Sequence, residues 1–314
     1  DSVSSRSRLM PSFFARLGAK IVLAAPAQVV SPDAEQTLAR IAAELSYDAL
    51  GTRYEFGGRN LEVVEPTDGQ TVTPDDVRRA LETVSSRTIE VPFTTIPAPA
   101  ATEIPGLVLT GEFSTPYDTL DTDRNVNLAL AAATFHAKVL RPGETYSFNK
   151  TAGERTAEKG YRYANIVVGD HLEPGLAGGI CQVTTTLFNA AAEAGLDFPE
   201  LHAHGIPVEY VPPGTDAAVE WGYLDLKIRN NTDLPVVLGA WVEDGEVSAR
   251  VFGASPDKIY ELLPVTVETY PAEGKEPGLL VETWRVEKSL AGEEIGRKML
   301  VRSYYLPHVK VKAQ

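Results

Sequence analysis

The single cysteine of this chain, Cys181, lies in the run LAGGICQVTTTLFNAAAEAG over residues 176–195, where its surroundings favour reactive chemistry. Gly178 and Gly179 lead into Ile180 and Cys181. Val183, Leu187, Ala190, Ala191 and Ala194 then recur at three- and four-residue spacing until Gly195. That spacing predicts a glycine turn feeding a buried helix. A thiol in the first turn of a helix faces unpaired backbone N–H groups and the positive end of the helix dipole, both of which favour the nucleophilic thiolate. The competing reading is a small buried hydrophobe, the commoner role of a lone cysteine.

A cysteine nucleophile needs a base to take its proton and a third group to hold that base in the right tautomer. After the cysteine helix the chain supplies Glu200, His202 and His204, then the strand-like VEYV and a Pro212-Pro213-Gly214 turn. Asp216 follows, then a strand through Val219 and Trp221, and Asp225 in the strand LDLKIRN. In an extended segment His202 and His204 share one face, so either ring could be the base; the alternative is a polar pair at a strand edge. Asp225 alternates with Leu224 and Leu226 and is the expected orienting group. Asp216 stands where a turn aspartate usually bonds its own backbone. Cysteine on a helix, histidine at a strand edge and aspartate on a strand is an order that resembles papain-like and transglutaminase-like enzymes.

Further residues could bind substrate around this centre. Gly178, Gly179 and the backbone N–H groups beside Cys181 are candidates for an oxyanion site, with Gln182 and Thr184 as side-chain donors. Gln182 and residues 184–186 serve equally as caps and helix-interior groups bonded to the preceding turn. Arg155, Tyr161, Tyr163, His202 and Asp216 could line a cleft for a glycan or peptide, the aromatics having packing as their alternative role.

Composition narrows the function. A chain of 314 residues with 43% hydrophobic and 23% charged residues can fold as two or three domains. Its net charge of -14 and pI near 4.9 argue against a nucleic-acid partner. One cysteine and five scattered histidines offer no metal-ligand spacing, so neither metal nor cofactor is expected. No apolar run approaches the roughly 20 residues of a membrane span; residues 19–30 are too short and carry Pro26, so no transmembrane segment is expected. The chain begins at Asp1, consistent with a trimmed N-terminus from which a signal or anchor was removed. There is no Gly-x-Ser-x-Gly turn, P-loop or dinucleotide fingerprint, and no carboxylate pair is singled out for glycan cleavage.

The elements that must position these residues follow in order. Residues 1–7 are small and polar. Ser31 and Pro32 open a helix striped with Leu38, Ile41, Ala42 and Leu45 that ends near Ser46. Residues 48–53 and 61–64 read as strands around a Gly57-Gly58 turn. Thr73 opens a helix with Val77, Ala80, Leu81 and Val84 on one face, and residues 88–93 form a strand. The run IPAPAATEIPG is a semi-rigid linker, placing a boundary near Pro99. A second domain opens with a strand over 107–114 and a helix carrying Asn125, Asn127, Leu128, Ala131, Ala132 and Phe135. A Pro142-Gly143 turn, a strand through Tyr146 and Phe148 and a strand over 163–168 lead to the cysteine helix. Residues 236–314 alternate as antiparallel β, with turns at Asp244-Gly245, Gly274 and Gly292. The later strands either complete the core or offer an edge to an extended partner. The expected fold is α+β. A small α+β module covers 1–98, with its linker to about 106. A central α/β domain over 107–254 packs the cysteine helix on an antiparallel sheet, and a β extension covers 255–314.

Two resemblances bear on function. NLEVVEPTDGQTV, PDDVRRALETV and TIEVPFTTIPAP resemble the peptidoglycan-binding-like domain that precedes L,D-transpeptidase and VanW-type domains in bacterial envelope proteins; an unspecific α+β spacer is the alternative. The ordered run RNVNLALAAATFHAKVLRPGETYSFNKTAGERTAEKGY, GGICQVTTTLFNAAAEAGL, HAHGIPVEYVPPGTDAAV and LDLKIRNNTDLPV resembles the VanW-like family over residues 110–253. Two positions depart from that pattern: Ala177 replaces the first of three glycines, and Leu201 stands where an arginine is expected. The match implies His204 as the base, because it aligns with the family's histidine ahead of the tyrosine-valine-proline turn. Together the resemblances imply an extracytoplasmic envelope protein, secreted or anchored through a segment outside this chain. It would bind peptidoglycan or modify its stem peptide through Cys181, His204 and Asp225. The alternative is a non-catalytic envelope-binding or scaffold protein linked to envelope stress or glycopeptide resistance.

Overall fold

In the computed structural model, the residues described are 19–22, 33–82, 88–99, 107–168 and 171–309. They divide into two compact units, one of residues 1–55 and 62–103 and one of residues 56–61 and 104–314. The chain is α+β, as its periodicities predict.

In the first unit, β1 (Ala19–Val22) pairs antiparallel with β5 (Thr88–Val91), and β4 (Gly69–Thr71) pairs with β6 (Thr94–Ile96). Helix α1 (Ala34–Leu45) and α2 (Pro74–Glu82) enclose a small core of Leu38, Ala42, Val72, Val77, Ala80, Ile89 and Val91. Thr73 caps α2: its backbone N–H donates to Asp76 and its Oγ1 accepts from the Asp76 N–H. The expected Ser31-Pro32 cap, Val84, the opening residues and the linker over 100–106 lie outside the described residues. The expected strand over 48–53 instead starts at Arg53: β2 (Arg53–Gly57) and β3 (Asn60–Val64) close on a tight turn with Gly58 at φ +65°, and residues 48–52 contribute a single isolated bridge, Leu50 to Thr67.

The second unit is built on a four-stranded antiparallel sheet in the order β7 (Val108–Pro116), β15 (Glu246–Gly253), β14 (Val236–Glu243), β8 (Lys138–Leu140). The cysteine helix, α5 (Ile180–Glu193), packs on β7 and β15. Its alanines allow a close approach: a Cβ built on Gly111 of β7 would fall 2.1 Å from the Ala190 carbonyl oxygen. Helix α3 (Thr122–Ala133), capped by Asp121, contributes Leu128, Ala131 and Ala132 to the same core. A smaller sheet orders β12 (Asp197–Glu200), β13 (Lys227–Arg229) and β9 (Thr145–Ser147), and β10 (Tyr163–Val168) forms a hairpin with β11 (His171–Leu176). Phe148, expected in a strand, begins the short helix α4 (Phe148–Ala152), because Ser147 accepts from the Lys150 N–H and caps it.

Three long strands, β16 (Ile259–Tyr270), β17 (Gly278–Lys288) and β18 (Glu294–Tyr305), form the last sheet. Its buried side faces the site-bearing chain. Thr283 Oγ1 donates to the Gly214 carbonyl at 2.7 Å, and the Leu306 N–H donates to the Gly205 carbonyl at 2.7 Å. Arg285 donates to the Leu196 carbonyl.

Candidate active site

Helix α5 is buried on nearly all sides, so each polar side chain on it needs a partner. Two rows supply them. Gln182 donates to Thr115 Oγ1 at 2.9 Å and to the Pro116 carbonyl at 2.7 Å, and Thr186 shares a hydrogen bond with Thr115, which fixes one face of the helix to β7. On the other face Thr184 donates to the Ala217 carbonyl at 2.7 Å, Thr185 accepts from the Ala217 N–H at 2.9 Å, and Asn189 donates to the Thr215 carbonyl at 2.8 Å. That second row, at i, i+1 and i+5, holds residues 215–217 alongside the helix. Cys181, one turn before it, meets the same segment at Val219, whose N–H and carbonyl oxygen are each 3.5 Å from Sγ.

The turn before the helix is fixed as tightly. Asn127 on α3 donates to the Arg162 and Gly178 carbonyls at 3.0 and 2.9 Å and accepts from the Arg162 N–H at 2.8 Å. A Cβ on Gly178 would lie 2.6 Å from the Asn165 carbonyl oxygen; Gly179 takes φ +103°, where a Cβ would also strike Arg124. Ala177, in place of a glycine, holds φ +63° and carries the backbone strain that a glycine avoids. Ile180 N–H bonds the Ala177 carbonyl and Gln182 N–H the Gly179 carbonyl, so of the first helical N–H groups it is that of Cys181 that stays unpaired among the described residues.

His204 reaches this point from residues 201–219, which run as an irregular segment rather than the expected strands. Its ring is almost fully buried. Nδ1 bonds Asp216 Oδ2 at 2.7 Å, the His204 backbone N–H donates to the same oxygen at 2.7 Å, and the ring lies close enough to the Cys181 thiol for each to shift the other's charge. Asp216 is 1% exposed, and its other oxygen accepts from the Tyr305 hydroxyl at the end of β18. Tyr305 in turn accepts from the Gly214 N–H. Histidine, aspartate and tyrosine thus form one connected hydrogen-bonded line that ends beside the cysteine.

The charges follow from this geometry. Burial pushes the Cys181 thiol up, but the hydrogen bond and positive charge of His204, then the Val219 N–H and Arg155, outweigh it and leave the thiol below its ordinary value. Burial alone would depress His204; Asp216 and the thiol overcome it and raise the imidazolium to about 10. Burial works against ionised Asp216 too, yet His204 and Tyr305 hold it below the usual carboxylate range. The favoured state is a thiolate and an imidazolium backed by a carboxylate.

Several expected site residues lie elsewhere. Asp225, read as the orienting group, accepts from Ser147 Oγ at 2.5 Å and the Asn149 N–H at 2.8 Å, and so fixes the start of α4. The carboxylate on His204 is instead Asp216: the Pro212-Pro213-Gly214 turn sends the chain back antiparallel to its own histidine, so this turn aspartate bonds a residue twelve positions upstream. His202 bonds Glu200 at 3.1 Å and presents a side chain 38% exposed, apart from the thiol line. Gln182 and Thr184 are spent on neighbouring backbone and side chains, and Tyr161 is a buried core residue whose hydroxyl is raised by burial. Leu201 packs against the core. Arg155 lies close enough to Cys181 for their charges to interact. Tyr305 and Asn127 went unassigned in the sequence. Asn127 carries a local signal, an amide among apolar residues on a helix face; Tyr305 carries none, since its partner lies 89 positions away.

Residues 123–252 match the family described as VanW like protein. The uncharacterized protein YoaR of Bacillus subtilis (strain 168) is 42% identical over 130 residues, which cover 41% of this chain and 43% of that protein. The vancomycin B-type resistance protein VanW of Enterococcus faecalis (strain ATCC 700802 / V583) is 27% identical over 199 residues, 60% of this chain and 70% of that protein. The match thus spans less than half the length of the first of these relatives. No solved structure matches the chain. Cys181, His204 and Asp216 fall inside the family-matched residues, and Tyr305 falls outside them.

Proposed function

Since the chain is a VanW-like protein in which a hydrogen-bonded imidazole–carboxylate pair is buried beside a helix-terminal thiol, we propose that it is a cysteine-dependent acyl-transfer enzyme acting on an amide bond of the peptidoglycan stem peptide. The observation that carries the reading is the buried, hydrogen-bonded His204–Asp216 pair set beside the Cys181 thiol at the start of its helix. The substrate is suggested by the relative named for vancomycin resistance, a resistance that concerns the cell wall. By the same reasoning the site works outside the cytoplasm, in the envelope.

The chemistry runs in two steps. The Cys181 thiolate attacks the amide carbonyl carbon, and the developing oxyanion is met by the unpaired Cys181 N–H at the helix N-terminus. As the C–N bond breaks, the imidazolium of His204 gives its proton to the departing amine, leaving a thioester on Cys181. An acceptor amine or water then attacks the thioester, His204 takes its proton, and the thiolate leaves. Throughout, Asp216 keeps the Nδ1 proton in place and so leaves the other ring nitrogen to face sulfur.

The test is chromatography of muropeptides from sacculi incubated with the parent chain, Cys181→Ala or His204→Ala. The proposal expects a change in stem-peptide length or cross-linking with the parent alone. Unchanged muropeptides, with all three proteins pelleting equally with sacculi, would instead support the non-catalytic binding role.

A further inference from the structure

Arg155 is in an unusual state for a buried guanidinium and lies near the reactive thiol: Val219, in contact with Sγ at 3.5 Å, is two residues from Trp221, whose ring the guanidinium approaches. The residue is 8% exposed, and among the described residues no carboxylate forms an ion pair with it. Nη1 donates to the Gly153 carbonyl at 2.9 Å, while Nη2 is buried without a hydrogen-bond partner. The planar group lies over the Phe148 ring, 5.3 Å from its centroid, and 6.0 Å from the centroid of Trp221, a half-exposed indole on the turn at 221–223. The charged groups around it are Tyr161, Cys181, Asp225 and Tyr146, and both Asp225 oxygens are already engaged at α4.

A buried cation with an idle N–H costs free energy that an arriving acceptor recovers. A guanidinium packed beside aromatic rings keeps its donors in the rigid planar fork that suits a carboxylate. We propose that Arg155 is a specificity residue of this site, reading a free carboxylate carried by the substrate beside the carbonyl that Cys181 attacks. This rests on the acyl-transfer reading and narrows it to anionic acyl donors. On a stem peptide the carboxylate has two sources, the C-terminus or an acidic side chain, and Arg155 recognises the chemistry they share.

Two alkylating reagents separate this recognition from thiol reactivity. Iodoacetamide and iodoacetate react with the same thiolate, but only iodoacetate carries a carboxylate. In the full chain, iodoacetate should label Cys181 with saturation kinetics despite the net charge of -14. In Arg155→Gln the ratio of iodoacetate to iodoacetamide rates should fall by roughly ten- to hundredfold, the loss expected for one charge-assisted pair. Arg155→Lys should recover part of it. The ratio cancels any change in the thiol itself, and a cooperative denaturant-unfolding transition reports that each variant is folded. A ratio unchanged in Arg155→Gln overturns the inference while leaving the acyl-transfer proposal standing. Failure of both reagents to label the parent removes both. Competing stem-peptide analogues amidated at the C-terminus, at the acidic side chain or at both identify the source: loss of protection with either single amide supports the inference, and equal protection by the doubly amidated peptide contradicts it.

Discussion

Replacing Asp216 by asparagine should separate the two carboxylates that compete for the orienting role. Asp216 accepts from the His204 backbone N–H, from His204 Nδ1 and from Tyr305, all inside the protein. Asparagine keeps one acceptor but turns an amide N–H toward one of these donors. When that N–H faces Nδ1, the ring places its proton on the nitrogen facing sulfur and can no longer receive one from the thiol. A hydrogen bond to a charged group contributes about 1.5–3 kcal/mol, so the thiolate–imidazolium state should lose roughly ten- to hundredfold in population at neutral pH. Leaving the buried imidazolium unpaired should also cost about 3–5 kcal/mol of stability. The assay is the rate of Cys181 alkylation by iodoacetamide as a function of pH, with denaturant unfolding run beside it. Asp225→Asn is the control: its contacts are to Ser147 and Asn149, so the alkylation profile should stay close to that of the parent. Equal effects from the two variants, or a larger one from Asp225→Asn, would refute the assignment.

Other consequences follow from the same geometry. In His204→Ala the burial that pushes the thiol up is opposed only by the Val219 N–H and Arg155, so the alkylation midpoint of Cys181 should move upward. Tyr305→Phe leaves the Gly214 N–H without its acceptor and Asp216 Oδ1 without its hydroxyl donor; unfolding should show a loss of about 1–3 kcal/mol. Because the His204 pKa is raised to about 10, its stabilising contribution is complete below 6.5 and is lost as pH rises through about 10. Asp216, held low, contributes above 3.8 and loses that contribution as pH falls through its depressed value. Unfolding midpoints across pH should show both limbs in the parent, with the alkaline limb reduced in His204→Ala.

What the sequence revealed is what periodicity and local turns encode. The helix carrying Cys181 was legible because its alanine and leucine spacing is helical and glycines bound it on both sides. The hairpins around Asp244-Gly245 and Gly292 were legible for the same local reason. The segment between residues 201 and 226 was not: its alternation of apolar and polar residues imitates a strand, yet much of its backbone is held by side chains, those of Thr184, Thr185, Asn189 and Thr283, in place of a strand ladder. Misreading that segment moved the orienting role to Asp225. The threonines of α5 were visible as hydroxyls, but their partners are tertiary. Tyr305 shows the limit most clearly, since only the folding of β18 against the 201–219 segment joins it to Asp216.

The most direct test of the central claim is the intact mass of the chain after mixing with a soluble stem-peptide donor and rapid acid quenching. The account predicts a thioester adduct of the acyl mass on Cys181, absent in Cys181→Ala and depleted when an acceptor amine is added. A parent chain that keeps its unmodified mass, while binding the same peptide as tightly as Cys181→Ala does, would contradict it.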